Sequence, residues 1–131
     1  MIHDGFPAGL IPGHLRSRLT AVAQGAFWAA CAVVLWSTLS DTDGLSEGFW
    51  DKGLHFTALY ALAVLGAVAF PTLRLRWIGL GLLAFGLGIE ALQKLPFVDR
   101  DASWADFLAD GAGVAFGLAP IALDRLRRAL A

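Results

Sequence analysis

Polar side chains able to do chemistry stand in this chain at helical spacings inside apolar runs. Glu90 and Gln93 close the stretch RWIGLGLLAFGLGIEALQKL, which is uncharged from Trp77 to Ile89. Asp51, Lys52 and His55 open a second run, and Arg100, Ser103, Asp106 and Asp110 open a third. An imidazole among carboxylates is equipment for general acid–base work. In that reading His55 is the base or acid, Asp51 one turn earlier orients it, and Glu90 and Asp106 are further acid–base groups. Lys52 and Arg100 suit an anion such as a phosphate, Arg through its two-pronged fork. Gln93, Ser103 and Asp110 complete the set as binding groups. No nucleophile stands out, because Ser103 precedes Asp106 in the pattern of a helix cap, so a bound water is the expected attacker. His55, Glu90, Asp106 and Asp110 are compatible with a divalent cation, being oxygen-rich with one imidazole. No zinc-type spacing supports one, and the expectation is no metal and no cofactor.

Each residue also has a plainer reading. Asp106 serves equally as a helix start. Lys52 and Lys94 can extend their ammonium groups to a membrane interface while their stems stay apolar. Asp51 and His55 can form an ordinary surface pair. Glu90 and Asp110 are harder to dismiss, since ionisable groups inside a membrane are functional candidates by default, although they could simply lock helices together.

The elements that must position these groups are helices. On the third run, Gly79, Gly86, Glu90 and Gln93 share one stripe, and on the fourth Ser103, Asp106, Asp110, Gly113 and Gly117 do. Lys52, His55, Leu59, Leu62 and Gly66 repeat the design on the second, polar at one end and small or apolar further in. Gly113-Val-Ala-Phe-Gly117 and Ala84-Phe-Gly-Leu-Gly88 are small-xxx-small patterns expected to let helix backbones approach closely.

The chain has 131 residues, of which 57% are hydrophobic and only 16% charged. Soluble domains carry about 25% charged residues, so this composition implies a single all-α integral membrane domain. Candidate spans are about Leu19–Leu39, Gly53–Phe70, Trp77–Leu95 and Ala105–Leu123. Each approximates the roughly 20 residues that cross a hydrocarbon core of about 30 Å. The first is too long for a signal-peptide core and is expected to stay uncleaved. The chain thus divides into an N-terminal segment 1–18, whose first 15 residues are expected to be a loose lead-in, a four-helix domain 19–123 and a basic tail 124–131. Short links after Pro71 and at 96–102 imply that helices two, three and four pack as antiparallel neighbours. The Asp41-Thr-Asp43-Gly44 loop lacks a glutamate at the twelfth calcium-loop position and reads as a solvated acidic turn.

Orientation follows from basic residues near the helix ends. Arg16, Arg18, Arg74, Arg76, Arg125, Arg127 and Arg128 are seven of the ten Lys and Arg residues, and four spans place all seven on one side. Asp41, Asp43, Glu47, Asp51, Asp99 and Asp101 fall on the other. Both termini are therefore expected in the cytoplasm. Trp36, Trp50 and Trp104 match the outer boundary and Trp77 the inner one, while Trp28 falls midway along the first span. A net charge of −1 and no basic, aromatic-interleaved surface argue against nucleic acid as a partner. Cys31 is the single cysteine and has no intrachain disulfide partner.

Asp51-Lys52-Gly-Leu-His55-Phe56, then Glu90-Ala-Leu-Gln93, then Arg100-Asp-Ala-Ser103-Trp-Ala-Asp106 with Gly113 and Gly117, resemble the signature of VanZ-like membrane proteins. The likeness runs from Asp51 to about Gly117. It departs at Leu59, where an aromatic is often expected, and at Asp110, where an asparagine is common. The resemblance implies a small helical protein of the bacterial inner membrane, related to one associated with teicoplanin resistance, and it supplies no agreed reaction. It also implies that Asp51, Lys52, His55, Glu90, Gln93, Arg100, Ser103 and Asp106 are functional.

Two classes of function follow. One is a membrane enzyme, a hydrolase or transferase acting on a lipid or lipid-linked cell-envelope precursor at the outer leaflet. The other is a non-enzymatic binding or accessory protein that recognises an envelope headgroup or supports a larger complex. Four short helices leave little room for alternating access unless the protein forms a homo-oligomer, so a transporter is disfavoured.

Overall fold

Runs of Ala, Leu, Val and Phe between Pro, Ser and Asp punctuation form four helices among the described residues: α1 (Gly13–Leu39), α2 (Phe49–Ala69), α3 (Leu75–Gln93) and α4 (Trp104–Leu130). The computed structural model describes residues 11–40, 49–96 and 104–131, and the side chains at 49–51 lie outside that description. No strand occurs among the described residues. All four helices are long and apolar enough to cross a membrane.

The helix ends have local causes. Before Pro71, α2 stops at Ala69, because the residue preceding a proline is pushed out of the helical region, and the Leu73 amide donates to the Phe70 carbonyl at 3.1 Å to close the turn. Pro96 acts in the same way on α3, which ends at Gln93 rather than at the expected Leu95. At the end of α1 the Ser40 amide donates to the Trp36 carbonyl at 2.8 Å.

Two boundaries differ more from the expected spans. The first helix begins at Gly13, just after Pro12, rather than at Leu19, and α4 continues to Leu130 rather than stopping at Leu123. Residues 124–130 are therefore a helical extension and not a separate tail. Nothing in Asp124-Arg-Leu-Arg-Arg breaks a helix, and Asp124 pairs with Arg128 one turn on at 3.0 Å. That exposed pair contributes about 0.3–0.5 kcal/mol at most.

Contacts between helices reveal their directions. Gly66 of α2 lies beside Ile78 of α3, and Gly79 and Gly86 of α3 lie beside Val114 and Asp110 of α4, so both consecutive pairs are antiparallel. The most extensive interface, however, joins α2 to α4. Gly113 faces Phe56 and Tyr60, and Gly117 faces Tyr60 and Ala63, so this pair runs in parallel. The parallel direction follows from two antiparallel links, but direct contact between these non-consecutive helices cannot be inferred from loop lengths. Glycine explains the closeness: a Cβ on Gly113 would overlap the Phe56 carbonyl oxygen and stand 3.0 Å from the Tyr60 amide nitrogen.

One expected contact is absent. Ala84 is exposed, and a Cβ on exposed Gly88 would meet nothing within 4 Å. Those positions sit about 200° around the helix from Gly86, so they face away from α4 while Gly79 and Gly86 are buried against it. The small-residue seam of α3 is thus Gly79–Gly86, not Ala84–Gly88.

The apolar core occupies the middle and the α2–α3-turn end of the bundle. It comprises Phe27, Leu59, Leu62, Ala63, Ala67, Ala69, Ile78, Leu82 and Val114. The first helix packs on α2, with Gln24 Nε2 donating to the Ala69 carbonyl at 3.1 Å and the Phe27 ring edge-on to Phe70. Since Gln24 is level with the last residue of α2, the N-terminal turns of α1 extend past the bundle. Trp28 is thereby brought edge-on to Phe70 near the α2–α3 turn, so it stands toward one rim of the bundle instead of at its midplane.

Candidate functional site

The opposite end of the bundle is polar. His55 lies near the start of α2, Glu90 and Gln93 at the end of α3, Asp106 and Asp110 in the first turns of α4, and Thr38 at the end of α1. The alternation of helix directions makes these six positions neighbours in height, and the stripes described above turn the side chains inward. His55, Glu90, Gln93, Asp106 and Asp110 are the buried polar and charged side chains among the described residues.

His55 Nδ1 and Asp110 Oδ1 are 3.1 Å apart. An imidazole that donates its Nδ1–H to this carboxylate has its ring oriented by the contact. Asp110 is thus one partner of His55; the Asp51 side chain, expected to orient the same ring, lies outside the described residues. Gly86 makes this possible, because a Cβ there would stand 2.6 Å from Asp110 Oδ2. The carboxylate fits between α3 and α4 only because the α3 position carries no side chain.

Glu90 is 5% exposed and Asp110 0%. Among the described residues Glu90 Oε1 and Asp110 Oδ2 are buried and accept no hydrogen bond. Such groups are rare, because a buried acceptor without a donor forfeits its hydration with no return. One nitrogen of His55 and one oxygen each of Glu90 and Asp110 lie within 4.8 Å of one another. Among the described residues, these three have the geometry to hold a metal ion. Asp106, grouped with them on sequence grounds, is buried one turn earlier on α4 and is not part of that trio.

The structure gives the remaining candidates different surroundings. Gln93 Nε2 donates to the Thr38 carbonyl at 3.1 Å, tying α3 to the C-terminal turn of α1. Lys52 and Lys94 are exposed at the same end, and Lys94 caps α3 in a helical conformation. Arg100 and Ser103 lie outside the described residues. Two contributors escaped the residue-level reading: the Thr38 carbonyl and the Gly86 seat. The first was accessible in principle, since the last four carbonyls of any helix lack intrahelical donors. The second had a signal too, as Gly86 stands one turn before Glu90 on the same stripe.

Comparison with protein-family models, curated proteins and solved structures gave no match. Chemically, the cluster offers an oriented imidazole, a buried carboxyl from each of two neighbouring helices, and a third carboxyl at Asp106. It can take up or release a proton and can bind a cation.

Proposed function

We propose that this chain is a VanZ-like integral membrane protein of the bacterial inner membrane, with both termini in the cytoplasm. In this reading its polar end opens toward the outer leaflet and acts on a lipid or lipid-linked cell-envelope precursor. One observation carries the proposal: ionisable groups from α2, α3 and α4 converge at one end of an apolar bundle, and two of their buried oxygens accept no hydrogen bond among the described residues. Charges inside a membrane segment are costly and persist where they serve a pathway or a reaction. The placement of the basic residues supports the orientation, since Arg74 and Arg76 and the outer turns of α1 and α4 are at the end away from the cluster. The exposed Trp36 and Trp104 at one end and Trp77 at the other are positioned for the two interfaces of a bilayer.

The chemistry assigned to the site is acid–base catalysis. His55, oriented by Asp110, takes a proton from a water or hydroxyl as that oxygen attacks the substrate. Glu90 in its acid form gives a proton to the departing oxygen, and Asp106 lies beside them in the first turn of α4. Lys52 is placed on the headgroup side, where it can meet a phosphate.

The test compares lipid and cell-wall precursor profiles of cells lacking the protein, expressing it, and expressing Glu90→Gln. A species changed only by the wild type is the expected result. Profiles that never differ, or that Glu90→Gln alters as fully as wild type, would end the catalytic reading. In the first case, direct headgroup binding by the purified protein would assign it a recognition role.

A further inference from the structure

We propose that His55, Glu90 and Asp110 form a binding site for one divalent metal ion. The inference goes beyond the lipid reading and stands without it; in the ion-bound state His55 and Glu90 are ligands and not the proton carriers named above. Its first ground is distance. The three donor atoms lie within 4.8 Å of one another. Ligands about 2.0–2.2 Å from a shared ion are separated by at most about 4.4 Å, and at calcium's roughly 2.3–2.6 Å by at most about 5 Å. The trio therefore has the dimensions of a ligand shell, needing no more than a small side-chain adjustment for the smaller ions. The 3.1 Å between His55 Nδ1 and Asp110 Oδ1 suits two adjacent ligands on one ion as well as it suits a hydrogen bond.

The second ground is independent of the clustering. Glu90 and Asp110 are more than nine-tenths buried, and each has a carboxylate oxygen that accepts no hydrogen bond among the described residues. Two neighbouring carboxylates in a low-dielectric interior repel one another, and Glu90 Oε1 and Asp110 Oδ2 lack donors among the described residues. A divalent cation answers both needs, giving each carboxylate a positive partner and cancelling the pair of negative charges. Gly86 keeps the space beside Asp110 free of a side chain.

The donor set also selects among ions. Calcium takes six to eight oxygen ligands, whereas one imidazole with two carboxylates suits a first-row ion such as Zn2+ or Mn2+. Three protein ligands leave coordination positions for water or for an anionic group entering from the polar end of the bundle.

The experiment uses the full chain, without a polyhistidine tag, purified in detergent and stripped with a chelator. Zn2+, Mn2+, Mg2+ and Ca2+ are titrated separately in competition with a fluorescent chelator, and Mn2+ is also followed by electron paramagnetic resonance. One Zn2+ or Mn2+ per chain is expected, with affinity at least tenfold weaker in His55→Ala and in Glu90→Gln. Gly86→Ala keeps all three donors but crowds Asp110, and it should weaken binding as well. Asp124→Asn, at the far end of α4, should bind as wild type does. Each variant is required to keep the wild-type circular dichroism spectrum, and Glu90→Asp, which shortens the reach but keeps the charge, replaces Glu90→Gln if that fails to fold. Absence of a stoichiometric ion, or unchanged affinity in both His55→Ala and the Glu90 variant, would overturn the site. Ion binding with no lipid change would sink the proposed function alone, and a wild-type-dependent lipid change without ion binding would sink this inference alone.

Discussion

Glu90 and Gln93 are one turn apart on the same buried stripe of α3, yet their surroundings separate them. Gln93 has a partner in the Thr38 carbonyl, while Glu90 Oε1 has none among the described residues. The glutamine thus serves as a tie between helices, and the glutamate remains available for chemistry. Gln93→Leu should accordingly lower stability by about 1 kcal/mol, the net value of one hydrogen bond, with little effect on ion binding. Unfolding in mixed-detergent titrations, followed by tryptophan fluorescence, measures the first, and the metal titration measures the second. A Gln93→Leu protein of unchanged stability that loses its ion would place Gln93 in the site instead. The same reasoning applies to Asp110. Sequence alone made it a binding group beside an Asp51–His55 pair, and only the coordinates put it on the imidazole.

Among the elements, the α2–α4 pair holds the bundle together. In a lipid surrounding, burial of apolar area gives little drive for association, so close packing of small residues has to supply it. Gly113 and Gly117 do so against Phe56, Tyr60 and Ala63. Gly113→Ala should force the two backbones apart at a cost of about 1–3 kcal/mol. Gly88→Ala has open space in front of it and should be neutral or stabilising, by up to about 1 kcal/mol from helix propensity. Opposite signs in unfolding titrations are the expected result, and equal effects would remove the glycine seam as the cause of packing. Gly113→Ala should also move His55 relative to Asp110, because both helices carry the site.

For the whole molecule, the two ends differ in kind. One gathers the buried carboxylates and His55. The other bears the helical extensions of α1 and α4 with their arginines, and Arg76 lies 5.4 Å from the ring centre of Trp77 there. This polarity fits a chain whose arginine end stays in the cytoplasm. Reporter fusions after Gly44 and at Ala131 should give signals from opposite faces, external and cytoplasmic respectively. Signals from the same face would rule out four spans and with them the proposed orientation.

The count of helices, most of the stripe that α2, α3 and α4 each turn inward and the end at which polar residues collect were legible in the residues. Spacing of three and four specifies a face on a helix whatever surrounds it, and a long apolar run specifies a length. Neither says which face meets which. The parallel α2–α4 contact, the partnership of Asp110 with His55, the Gln93–Thr38 link and the choice of Gly86 over Gly88 depend on how four cylinders are rotated and stacked together. Those rotations are set by close packing among distant residues, and so only the tertiary structure decided them.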